Sequence, residues 1–170
     1  MRGVLVVGCA GAGKTTSARK LARVSGLPLI HLDSHYRRPG WQLPAAANWR
    51  EQVLALAATS EWIIDGNYSN TDDIRMPRAD TLIWLDHARS VCLRRALLRT
   101  LTGYGETRSD LPESCPERFD IPFLRYVWNF AQKHRPRIVN AIEWFGVHLR
   151  ITRLGSDRDA HEFPAMLGAD

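Results

Sequence analysis

Cysteine, lysine and long apolar runs are what this 170-residue sequence has least of, and each shortage excludes something. Cys9, Cys92 and Cys115 are widely spaced and form no C-x-x-C pair, so neither a disulfide framework nor a zinc site is indicated. The six histidines show no H-x₃₋₅-H spacing within one element; His31 and His35 fall across a strand-to-loop junction and read as packing or surface residues. No G-x-S-x-G sequence offers a nucleophile elbow, and no N-K-x-D signature marks a guanine site. No apolar run approaches the ~20 residues of a membrane span. The first strand begins just after Met1, which leaves no room for a signal peptide, so the expectation is a cytoplasmic protein without a membrane role. Repeats, low-complexity tracts and linkers are absent from the sequence, and one domain over 1–170 is expected.

Lysine is scarce but positive charge is not. Twenty of the 23 Lys and Arg residues are arginine, and the net charge is +5. Arginine's fork-shaped, permanently charged donors suit a polyanionic ligand, while a general composition bias toward Arg explains the excess equally well. Only clustered arginines speak for chemistry.

The stretch that does speak is Gly8-Cys9-Ala10-Gly11-Ala12-Gly13-Lys14-Thr15-Thr16, which fits G-x-x-x-x-G-K-[ST] at every fixed position. Val4-Leu5-Val6-Val7 before it reads as a buried strand, and Thr16 to Arg23 after it as an opening helix. In that context the glycines let backbone N–H groups turn inward around a phosphate, and the helix adds its positive dipole end. A nucleotide would thus be bound by Gly8, Ala10, Gly11, Ala12, Gly13, Lys14, Thr15 and Thr16. Lys14 reaches the β- and γ-phosphates of ATP, and the Thr15 hydroxyl ligates Mg²⁺. A Rossmann fingerprint is ruled out because Thr16 stands where its third glycine belongs.

Further strands are predicted at Leu29–Leu32, Trp62–Gly66, Thr81–Asp86 and Val147–Ile151, alternating with helical spans as parallel βαβ units require. Asp33 sits at the carboxyl end of the second strand, where ligands bind in open α/β sheets. Asp65 closes the third and reads as a Walker B carboxylate for Mg²⁺. The irregular stretch from Ser34 onward carries Trp41 and looks like an acceptor-binding segment, after which Asn48 with Glu51 makes a capping box. Arg95 and Arg99 lie one turn apart on a helix, so a bridging anion would relieve their repulsion. Gly103 to Arg118, with Arg108 at its middle, reads as a lid. Helices from Phe119 to Lys133 and from Pro136 to Trp144 follow. Ser156 with Asp159 caps a last helix that Pro164 bends or ends.

Taken together, the chain resembles the adenylate-kinase-like P-loop kinases over nearly its whole length. Within them it is most similar to the bacterial group known as DNA topology modulation proteins. His31-Leu32-Asp33, Pro39-Gly40-Trp41, Ile64-Asp65-Gly66-Asn67-Tyr68, Ala79-Asp80, Leu85-Asp86, Arg108-Ser109-Asp110-Leu111 and Cys115-Pro116-Glu117 carry the likeness. Adenylate kinases proper continue Asp-Gly with Phe-Pro-Arg, where this chain has Asn67-Tyr68-Ser69. The resemblance implies an α/β P-loop NTPase with a five-stranded parallel sheet in the order 2-3-1-4-5, sandwiched by helices, with a lid over the ATP phosphates.

Two functions compete at this stage. In the first, a kinase moves the γ-phosphoryl of ATP to a small acceptor: Lys14 and Mg²⁺ on Thr15 and Asp65 hold the phosphates, Arg95, Arg99 and Arg108 stabilise the transferring group, Asp33 takes the acceptor hydroxyl, and Trp41, Asp65 and Arg75 shape its pocket. In the second, the chain is a nucleotide-dependent regulatory ATPase or switch on nucleic acid. The arginines gather around the nucleotide site and form no long basic stripe, which favours the kinase.

Overall fold

The computed structural model describes residues 1–36, 44–106, 115, 116 and 118–167, the last four of these as backbone only. Five strands form one wholly parallel sheet: β1 (Gly3–Gly8), β2 (Leu29–His31), β3 (Trp62–Asp65), β4 (Thr81–Leu85) and β5 (Arg150–Leu154). Their order is β2-β3-β1-β4-β5, as the resemblance implies. β1, β3 and β4 are buried at every position, so they read as unbroken apolar runs and not as alternations. β1 sits at the centre, with Val4 opposite Ile63 on one side and Thr81 on the other.

Helices cover both faces. They are α1 (Lys14–Ser25), α2 (Leu32–Tyr36), α3 (Ala46–Ala57), α4 (Asp72–Arg75), α5 (Arg89–Thr102), α6 (Ile121–Lys133), α7 (Arg135–Phe145) and α8 (Asp157–Leu167). Short 3₁₀ turns flank α4 at Ser69–Thr71 and Met76–Arg78. Ala18 and Leu21 of α1, Trp49 and Val53 of α3, Cys92 and Ala96 of α5 and Val127 of α6 join the strands in one core. Among the described residues no helix is long and apolar enough to cross a membrane.

Several ends follow local chemistry. Gly26 closes α1 in the left-handed conformation, its N–H on the Ala22 carbonyl. The Asp120 side chain caps α6 by accepting from the Phe123 N–H. Ser156 and Asp159 form the expected reciprocal box at the start of α8, at 3.2 and 3.0 Å.

Other ends differ from the sequence reading. β2 stops at His31, and Asp33 lies in the first turn of α2, so Ser34 to Tyr36 is helical. Asn48 lies inside α3, which opens at Ala45 with no side-chain cap; burial of Trp49 against Tyr36 and Tyr68 sets the phase of that helix. β5 begins three residues later than the alternation suggests. After Gly146 ends α7, a turn from Gly146 to Leu149 leaves Val147 exposed, and pairing starts with the Arg150 N–H on the Asp80 carbonyl. The α8 backbone runs past Pro164 to Leu167. Most of the predicted lid, including Arg108, lies outside the described residues.

Because every strand runs the same way, Gly8, His31, Asp65 and Leu85 all end on one side of the sheet. The polar residues gather there.

Candidate functional site

Gly8 ends β1 with φ +145°, and a Cβ there would stand 2.3 Å from the Leu85 carbonyl oxygen. Glycine is therefore required at Gly8 by the neighbouring strand as well as by the backbone angle. Gly13, the N-cap of α1 with φ +89°, has open space where a Cβ would be. No side chain caps that helix, so its first N–H groups face a cavity of about 290 Å³ bounded by the 10–16 loop, Asp33, Asp65, Arg95, Arg99 and Phe123. Lys14 rests its ammonium on the Cys9 carbonyl at 3.1 Å.

Across the cavity, the Thr15 hydroxyl donates to Asp65 Oδ2 at 2.9 Å. His31 Nδ1 lies 3.1 Å from the same oxygen, so this histidine belongs to the site and is not merely a packing residue. Asp65 Oδ1 is buried and has no protein partner among the described residues. A buried carboxylate oxygen without a donor suits a cation or its water, and the hydroxyl beside it is a second hard oxygen ligand. No group of three or more His, Cys, Asp or Glu that could hold a metal ion exists among the described residues. Thr15 and Asp65 therefore fit a Mg²⁺ that takes its remaining ligands from water and phosphate.

Arg75 is not at this cavity. It is fully buried, and its guanidinium donates to the carbonyls of Gly66 at 2.9 Å, Asn67 at 2.5 Å and Tyr68 at 3.3 Å, and to Asp72 at 2.5 Å. An arginine enclosed this way shapes the loop after β3 and does not line the cavity. Burial pushes the Asp72 carboxyl up to about 6, against the pull of Arg75. The loop it supports carries Tyr68, whose φ of +26° is the only positive value for a non-glycine among the described residues. The Tyr68 hydroxyl donates to Asp33 Oδ1 at 2.5 Å, fixing a carboxylate that reaches the cavity.

Arg95 and Arg99 both line the cavity from α5. Arg95 also pairs with Asp157, which accepts from His87 as well. That Arg95 partner holds the Asp157 carboxyl below its usual range. Arg99 lies 5.6 Å over the Phe123 ring. On the far side of Arg95 a second cavity of about 350 Å³ opens between α1, α5 and α8, lined by Gly13, Thr16, Lys20, Arg95, Asp157 and His161.

The structure thus brings together Gly13, Lys14, Thr15, Thr16, Asp33, Asp65, Arg95 and Arg99 and takes Arg75 away. Ala10 and Gly11 line the same cavity, Ala12 lines the second one, and Gly8 stands behind the loop. Trp41 lies, like Arg108, outside the described residues. Sequence reasoning missed His31, Tyr68 and Asn67. All three stand in the stretches that carry the resemblance, but no role is assigned to them there.

No protein-family profile matches the chain, and no curated protein matches it. Solved structures do. Shikimate kinase from Acinetobacter baumannii in complex with shikimate superposes with a TM-score of 0.63 at 14% identity, over 98% of this chain and 90% of that one. Shikimate kinase from Bacteroides thetaiotaomicron gives 0.55 at 17% identity, over 98% and 96%. A sugar kinase from Janibacter sp. gives 0.50 at 18%, over 99% and 91%. Identities this low carry the architecture and nothing finer: the chain has the P-loop kinase fold.

Proposed function

We propose that the chain is an ATP-dependent phosphotransferase that moves the γ-phosphoryl group to the hydroxyl of a small acceptor. Within that reading, the sequence stretches that resemble the DNA topology modulation group support a kinship with those proteins. The observation that carries the reading is the Thr15–Asp65 pair at 2.9 Å beside a glycine loop whose helix-opening N–H groups have no side-chain cap. That pairing supplies one phosphate cradle and one divalent-cation seat within a single cavity. Thr15 and Asp65 would hold a Mg²⁺, which would offset the negative charge of the phosphates.

The chain's own residues do the rest. Lys14 exchanges the Cys9 carbonyl for phosphate oxygens. Arg95 and Arg99 stabilise charge on the phosphoryl group in flight, and the same role is proposed for Arg108, outside the described residues, from the sequence alone. The nucleoside end of ATP extends past Arg95 into the second cavity, which shares Gly13 and Thr16 with the first. Asp33, oriented by Tyr68 at Oδ1, takes the proton of the acceptor hydroxyl with its other oxygen. The new bond joins that hydroxyl oxygen to the γ-phosphorus, and the bond to the β-bridging oxygen breaks, releasing ADP. Trp41, outside the described residues, is proposed as an acceptor contact from the sequence alone.

The test is a screen of nucleosides, nucleotides and small hydroxyl metabolites for acceptor-dependent ADP release, with Lys14→Ala alongside. Among the described residues the Lys14 ammonium hydrogen-bonds only the Cys9 carbonyl, so the variant should unfold like the parent and lose the activity. ADP release that needs no acceptor, together with salt-dependent DNA retention, would overturn the reading in favour of a regulatory ATPase.

A further inference from the structure

The β1–β3 ladder does not end where its backbone ends. The last main-chain rung is the Gly66 N–H on the Val6 carbonyl at 3.2 Å. In a parallel ladder the next rung would give the Gly8 N–H the Gly66 carbonyl. That carbonyl is taken by Arg75, as are those of Asn67 and Tyr68. The Asn67 side chain supplies the missing rung. Its Oδ1 accepts from the Gly8 N–H at 3.0 Å, and its Nδ2 donates to the Gly8 carbonyl at 2.8 Å. The same Nδ2 reaches the Tyr126 hydroxyl on α6 at 3.2 Å.

Gly8 is where β1 releases the chain into the phosphate loop. Its N–H, its carbonyl and its Cα are each constrained, the first two by one carboxamide and the last by the Leu85 carbonyl. Everything from Cys9 to Gly13 hangs from that point. A carboxamide is the smallest side chain that presents one donor and one acceptor in a plane, which is what a backbone rung presents. Aspartate lacks the donor, and leucine of similar size lacks both groups.

We propose that Asn67 is a positioning residue for phosphoryl transfer, acting as a side-chain rung that sets the height and tilt of the glycine loop. The inference rests on the phosphotransfer reading above. Asn67 touches no reacting atom; it fixes the loop whose amides do. Preorganised amides stabilise charge that develops in the transition state more than charge already present in the ground state. Loosening the rung therefore costs transition-state affinity more than product affinity.

The experiment uses the whole chain with Asn67→Ala, Asn67→Leu and Tyr126→Phe. It measures binding of MgADP, binding of MgADP with aluminium fluoride as a mimic of the planar phosphoryl group, and hydrogen exchange at the Gly8 amide. Both Asn67 variants should lose roughly ten- to a hundred-fold more affinity for the aluminium fluoride complex than for MgADP. Gly8 should lose about tenfold or more of its exchange protection, because its N–H then has no acceptor. Tyr126→Phe leaves the rung in place and should change the affinity ratio less than about twofold. A purely structural role would lower the melting temperature without moving that ratio.

Wild-type affinity ratios in both Asn67 variants would overturn the proposal. If Asn67→Ala does not fold, Asn67→Leu fills the same volume and decides alone. A parent chain that binds no MgADP would remove the phosphotransfer reading itself and the proposal with it. Parental binding with unchanged ratios in the variants removes only the role of Asn67.

Discussion

Two loops leave adjacent strands and border the same cavity, and they are held in opposite ways. The loop after β1 is nearly bare backbone that lines the cavity, and no side chain caps the helix it opens. The loop after β3 turns its acceptors inward, where one buried guanidinium collects three carbonyls. The first is short of acceptors and needs an anion; the second has surplus acceptors and encloses a cation. A surface built for phosphate must keep its own N–H groups unspent, so its rigidity has to come from a neighbour. Steric limits shape the first loop, and charge shapes the second.

That contrast breaks most visibly at Arg75. Arg75→Met should cost about 3–5 kcal/mol of unfolding free energy in urea, because it leaves Asp72 and three carbonyls buried without their partner. A loss under about 1 kcal/mol would mean that the Gly66–Tyr68 loop holds itself up.

Within the glycine loop the contrast sharpens between two positions. Gly8→Ala drives a Cβ to 2.3 Å from the Leu85 carbonyl at φ +145°, and clash and strain together should cost about 2–4 kcal/mol. Gly13→Ala meets nothing nearer than Leu85 Cδ2 at 4.0 Å, so only the left-handed backbone is penalised, by about 1–2 kcal/mol. Equal losses in denaturant titrations would show that strain alone, and not the neighbouring strand, selects the glycines.

The smallest effect is one of pH. Asp72, raised to about 6 by burial, binds its proton more tightly in the folded chain than in the unfolded one. Its contribution to stability therefore grows as pH falls through about 6 and is complete below the ordinary carboxylate value near 4. Asp72→Asn should remove that slope. A parent-minus-variant difference that stays flat from about pH 7 to about pH 4 would show that Asp72 ionises as it does in water.

The same contrast explains what could be read in the sequence. The glycine loop was legible because its function demands residues that few other structures tolerate, at fixed spacing, between a strand and a helix. The sheet was legible because β1, β3 and β4 are buried on both faces and written in apolar residues. β5 lies at an edge with four of its five residues at least partly exposed, so its pattern carried little information and was placed too early. In the sequence Arg75 reads as a pocket residue because nothing local distinguishes an enclosed arginine from a ligand-facing one; the three carbonyls that enclose it come from the chain's path after β3. Asn67 was passed over for the same reason. Its partner, Gly8, is remote in sequence and becomes its neighbour only when the sheet is complete.

The central place of β1 has a consequence for how the molecule is made. Its two neighbours arrive late: Val4 waits for Ile63 and then for Thr81 before either edge is paired. Such pairings bear the closure entropy of long loops before any contact repays it, so they form slowly and in the later stages of folding. The glycine loop, made before both neighbouring strands, would take its final shape only as they pair. Nucleotide capture would therefore report a finished fold, and a chain halted before β4 would have the motif without the cradle.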